Sequence, residues 1–170
     1  QASLDKAALV GFGTDLQFVA SGQVQINQGP VGARLDWSQV AGAANELSGV
    51  TLTMDETVDL AASGNVILNA FGFVVAKGTF DLAKLSGVAI DDGDTSDTST
   101  DVAAFTANAL TLSTTLSGFA GVGASLSDDP LVAAYADVDV VTTDAIGFSL
   151  TNASIDLAMV QNATVPANKY

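Results

Sequence analysis

Neither cysteine nor histidine occurs in this chain of 170 residues. Their absence excludes thiol nucleophiles, disulfides, zinc sites of the usual ligand types, histidine-ligated haem and any Ser-His-Asp triad. Basic residues are scarce. Lys6, Arg34, Lys77, Lys84 and Lys169 stand against 19 acidic residues, giving a formal charge of −14. With no basic stripe, a polyanion such as nucleic acid is repelled, and so is an anionic membrane surface, while divalent cations are attracted. Aromatics make up only 6% of the chain, with a single tryptophan, Trp37. No run of about 18 apolar residues occurs, so no membrane-spanning helix is expected. The N-terminal QASLDKAALVGFG has too short an apolar run for the core of an export signal.

What is present is a chain that can bury a core: 48% of it is hydrophobic, mostly Ala, Val and Leu. Residues 1–170 are read as one β-rich module, and the small side chains predict thin, closely packed layers. Period-2 alternation dominates. It runs from Leu16 to Ile26 in DLQFVASGQVQINQ, through β-rich runs in 48–85 broken at Ser63-Gly64 and Gly78, and on through 107–126 and 145–160. Thr, Val, Ile and Phe at these positions favour strands. Three short segments have helical character: 3–12, 37–47 with Ser38 as cap, and 130–138 with Pro130 in the first turn.

A weak internal repeat aligns FVASGQVQIN (18–27) with LAASGNVILN (60–69), and Ser-Gly also recurs at Ser48-Gly49, Ser86-Gly87 and Ser117-Gly118. Each Ser-Gly is expected to mark a bend or bulge where a strand changes direction. Their uneven spacing argues against a strict short-period solenoid but allows a looser one, or a sandwich.

Chemistry can be sought in two acidic segments. The stretch DDGDTSDTSTD carries Asp91, Asp92, Asp94, Asp97 and Asp101 with no base among them. A flexible acidic loop can supply the six to eight oxygens that calcium takes, although the EF-hand pattern is missing. The second segment holds Asp128, Asp129, Asp137, Asp139 and Asp144. In a strand, Asp137 and Asp139 share one face, where like charges repel unless a cation or donor lies between them. Calcium is therefore the candidate ligand: for 91–101 a solvated acidic loop is the first reading and a cation site the alternative, while for Asp137 and Asp139, with Asp128 or Asp129, the two readings stand level. Paired carboxylates also suggest glycoside hydrolysis, but Trp37 reads as a core or edge plug, and no catalytic or cofactor-binding residue is assigned. The sequons at Asn152 and Asn162 are read as turn chemistry.

The run SGVTLTMDETVDLAASGNVILNAFGFVVAKGTFDL, an acidic loop, then ALTLSTTLSGFAGVGASLSDD and DAIGFSLTNASIDLAMV, resembles the tandem β-rich repeat modules of very large secreted bacterial surface and adhesin-type proteins. The resemblance implies a structural or adhesive role, tandem or polymeric assembly, and calcium in the acidic turns. The resulting expectation is an all-β fold, a β-solenoid-like stack with irregular turns or alternatively a β-sandwich. It serves as a non-enzymatic structural module at the cell surface or outside the cell, self-associating or joined to neighbouring modules. A carbohydrate- or surface-binding sandwich, with an exposed aromatic face around Trp37 or Tyr135, is the alternative, and an acidic glycoside hydrolase the second alternative.

Overall fold

The computed structural model describes residues 1–30, 33–40, 54–89 and 106–163. It is all-β apart from two short helical turns. Among the described residues eight strands form in chain order: β1 (Ala2–Ala8), β2 (Leu16–Ile26), β3 (Val58–Ala70), β4 (Val74–Ala89), β5 (Thr106–Val122), β6 (Ser125–Leu126), β7 (Val140–Val141) and β8 (Ile146–Asn162). Six of them make one antiparallel sheet in the order β1-β2-β3-β4-β5-β8, while β6 and β7 pair as a separate two-stranded ribbon. The sheet is open, with β1 at one edge and β8 at the other. Within the described residues it is a single antiparallel meander, and neither stacked solenoid coils nor a second large sheet accompanies it.

The segment 3–12, expected to be helical, is instead the edge strand β1. Its pairing with β2 slips between Leu4 and Ala7. That bulge breaks the two-residue rhythm and leaves apolar residues at spacings that resemble a helix. The 37–47 expectation survives as the four-residue helix α1 (Trp37–Val40). Its cap is Asp36, whose Oδ1 accepts from the Ser38 backbone N–H at 3.0 Å; residues beyond Val40 lie outside the described ones. The 130–138 helix is replaced by turns ending in a 3-10 turn over Tyr135–Asp137.

Ser-Gly does not have one meaning. Ser86-Gly87 and Ser117-Gly118 lie at register shifts, as expected of bulges. Ser21-Gly22 and Ser63-Gly64 instead lie in regular strand, and the two copies of the repeat pair with each other, Gly22 directly opposite Gly64. A Cβ on Gly64 would sit 2.4 Å from the Ser21 carbonyl oxygen and 2.9 Å from the Phe80 ring. Gly64 therefore leaves room for Phe80, its register partner on β4. Ser48-Gly49 lies outside the described residues.

Candidate functional site

Pairing register divides the sheet into two chemically opposite faces. One face carries rows such as Gln23-Ser63-Asp81-Ser113-Asp156 and Ser21-Asn65-Thr79-Thr115-Ser154. The other carries rows such as Phe18-Leu68-Ala76-Gly118-Leu150 and Val24-Ala62-Leu82-Leu112-Leu157.

Residues 124–145 fold back as a flap over one half of the polar face, where that face turns apolar. Val138, fully buried, packs on Val19 and Ile67 with Leu126, Ala133 and Tyr135 around it. Ala124 packs on Val75 and Phe119 with Val140 and Ala145. Two of the five basic residues hold the flap from the sheet. Lys6 donates to the carbonyls of Pro130, Leu131 and Ala133 at 3.0–3.2 Å. Lys77 donates to the Val138 carbonyl, pairs with Asp139 at 3.0 Å and lies 4.8 Å from the centre of the Tyr135 ring. A lysine that binds backbone carbonyls satisfies acceptors that an irregular, partly buried segment leaves unpaired.

Two further basic residues close one end of the sheet. Arg34 and Lys84 both pair with Asp59, at 2.5 and 3.3 Å, and Ser86 donates its hydroxyl to the same carboxylate. Burial pushes the Asp59 pKa upward, but the Ser86 hydrogen bond and the two cations outweigh it and hold the carboxyl below its ordinary value. Asp55 is held low as well, first by the Thr57 hydroxyl. Trp37 plugs this end: its indole N–H donates to Asn27 Oδ1 at 3.0 Å, and the Asn27 amide in turn donates to the carbonyls of Leu35 and Asp55. Trp37 and Tyr135 are thus both half-buried and engaged, and neither presents an open aromatic platform.

The uncovered half of the polar face is an open trough of about 500 Å³ lined by Gln23, Gln25, Ser63, Asp81, Thr111, Ser113 and Asp156 among others, with no aromatic side chain. Ser113 donates to Asp156 at 2.6 Å. The buried Gln25 Oε1 has no hydrogen-bond partner among the described residues.

The expected calcium ligands fall into two groups. Asp91, Asp92, Asp94, Asp97 and Asp101 lie outside the described residues. Asp128, Asp129, Asp137, Asp139 and Asp144 are all in the flap or its return. Asp129 accepts from Gln17 and from the Leu131 backbone N–H. Asp128 accepts from Ser127, and Asp139 pairs with Lys77. Asp137 lies in the 3-10 turn rather than in a strand, so the expected same-face pairing with Asp139 does not arise. Asp144 takes a positive φ of 60°. Among the described residues no group of three or more acidic side chains is arranged to hold a metal ion.

Sequence reasoning missed the apolar face as a unit. Positions sharing it by register include Leu16, Phe18, Val24, Leu116, Phe148 and Leu157, and none of the positions is Asp or Glu. Its one charged register position is Lys84, which is turned to Asp59. Exposure rises toward β8, where Ile146 is 81%, Phe148 71% and Met159 65% exposed. The signal was the parity of the alternation, with Leu, Val and Phe on one phase and Ser, Thr, Asn and Gln on the other. No described helix is long and apolar enough to cross a membrane.

Compared with family models, curated proteins and solved structures, the chain matches none.

Proposed function

We propose that the chain is a structural module of an extracellular or cell-surface assembly, joined to its neighbours through the edges of its sheet. The observation that carries this reading is the strand order. The chain enters the sheet at one edge, β1, crosses it strand by strand and leaves at the other, β8. Six antiparallel strands are an even number, so β8 runs opposite to β1. The β1 of a following copy, kept in the same orientation, therefore meets β8 antiparallel, which is the pairing the rest of the sheet uses. Such a head-to-tail contact repeats, giving a fibre, a closed ring or a tandem array.

The β8 edge supports this. Natural proteins guard exposed edges with lysine, proline or short strands. β8 is 17 residues long and contains neither lysine nor proline; its only charge is Asp156. The length of β8 also favours a second reading. β1 has only seven residues, so two β8 strands paired antiparallel would cover more backbone and close a dimer instead of a fibre.

Light scattering after size exclusion, with electron microscopy of the same fractions, tests the proposal. A ladder of masses or filaments supports head-to-tail joining, and a dimer whose β8 amides are protected from exchange supports β8–β8 pairing. A 17.1 kDa monomer at every concentration refutes both.

A further inference from the structure

We propose that the acid-free apolar face of the sheet is itself an interface, covered by the same face of a second copy stacked on it. This rests on the assembly reading above, but it concerns the face rather than the edges, and a different observation carries it.

A chain of net charge −14 resists self-association wherever its carboxylates are displayed. Every register position on this face avoids them. In the strands, Asp81 and Asp156 lie on the opposite face, Asp5 falls in the β1 bulge, and Asp59 lies at the β3 bulge neutralised by Arg34 and Lys84. The face is therefore the one broad surface among the described residues where two copies can meet without opposing carboxylates. The polar face offers no equivalent, since half of it is occupied by the flap and the rest is the trough that displays the Asp81 and Asp156 carboxylates.

Area points the same way. Leu4, Phe18, Val24, Ile26, Leu110 and Leu116 are more than one-third exposed, as are the β8 side chains Ile146, Phe148, Ile155, Leu157 and Met159. With a fully exposed aromatic side chain offering roughly 150–250 Å² and an aliphatic one somewhat less, these positions present on the order of 1,000 Å² of apolar surface per copy. Two copies would then bury about 2,000 Å², where permanent homodimer interfaces begin, and well above the largest patch of a typical monomer, about 300–600 Å². The same patch on both partners makes the contact isologous, with two sheets packed about 10 Å apart as in a β-sandwich. The half-sandwich in one chain thus becomes a whole one in two.

The absence of cysteine gives a clean test, because one introduced thiol is the only one. Leu116→Cys places it on the apolar face and Thr115→Cys on the polar face of the same strand. Thiol labelling is followed against protein concentration alongside mass by light scattering, with circular dichroism to confirm the fold. The proposal expects labelling of Leu116→Cys to slow at least tenfold as mass rises, while Thr115→Cys stays reactive. A second pair, Phe18→Glu and Leu157→Glu, is expected to lose the stacked species yet keep the sheet spectrum. Multimers in which Leu116→Cys stays fully reactive overturn the stacking and leave edge joining intact. Protection of Leu116→Cys only on adding neutral-lipid vesicles overturns it in favour of a lipid surface. A wild-type chain that stays monomeric overturns both readings.

Discussion

Replacing Val138 by alanine tests how the flap is held. Val138 is 0% exposed and sits between Val19 and Ile67, with Leu126, Ala133 and Tyr135 closing around it. The substitution removes two methyl groups, about 1.6 kcal/mol at roughly 0.8 kcal/mol per buried carbon. The cavity left against the sheet adds about 1 kcal/mol, because Val19 and Ile67 are anchored in paired strands and collapse only in part. The expected loss is therefore about 2–3 kcal/mol, a fall in Tm of roughly 5–10 °C for a domain of this size. Urea unfolding followed by circular dichroism measures it. Val132→Ala is the control, since Val132 lies in the same flap but is 82% exposed, and its expected change is within about 0.5 kcal/mol. Equal effects at the two positions would refute the argument that the flap is a packed lid on the sheet.

Three further outcomes are expected. Gly64→Ala brings a methyl group against the Ser21 carbonyl and the Phe80 ring, and costs about 1–3 kcal/mol by overpacking, read in the same urea assay; an unchanged midpoint contradicts the seating of Phe80. Asp59 and Asp55 have lowered folded pKa values. The stability they contribute is full above their unfolded values, about 4, and disappears as pH falls through the lower folded values. Asp59→Asn leaves Arg34 without its carboxylate, costs about 2 kcal/mol at pH 7, and flattens the acid decline of a melting-temperature profile; a variant with the wild-type profile contradicts the role of the pair. For calcium, the two acidic segments are tested apart, with 91–101 as the proposed site. Millimolar calcium is expected to raise Tm in a manner lost in Asp92→Asn/Asp94→Asn and retained in Asp137→Asn/Asp139→Asn, while no shift in the wild type removes calcium from the account.

The strands were legible where the alternation is uninterrupted. Leu16–Ile26, 107–126 and 145–160 were read as extended, and β2, β5 and β8 occupy them. β1 was misread because its bulge between Leu4 and Ala7 shifts the apolar phase. The 130–138 segment carries local helix signals, but tertiary packing overrides them: Pro130 and Val138 are drawn into the flap's buried side, and only Tyr135–Asp137 coil. The role of the sparse basic residues was not legible either, since Lys6 and Lys77 reach carbonyls 124 and 61 residues away. The repeat was visible, yet that its two copies would pair with each other through Gly22 and Gly64 depends on register, which no single segment encodes.

Pairing of β8 with a neighbouring copy would bury its outward backbone groups. Amide hydrogen exchange of β8 at increasing protein concentration addresses it most directly, since an unpaired edge leaves its outward N–H groups open to water. Protection in β8 is expected to rise with concentration while that of the central strands β3 and β4 stays constant. Exchange in β8 that remains fast and independent of concentration would contradict it.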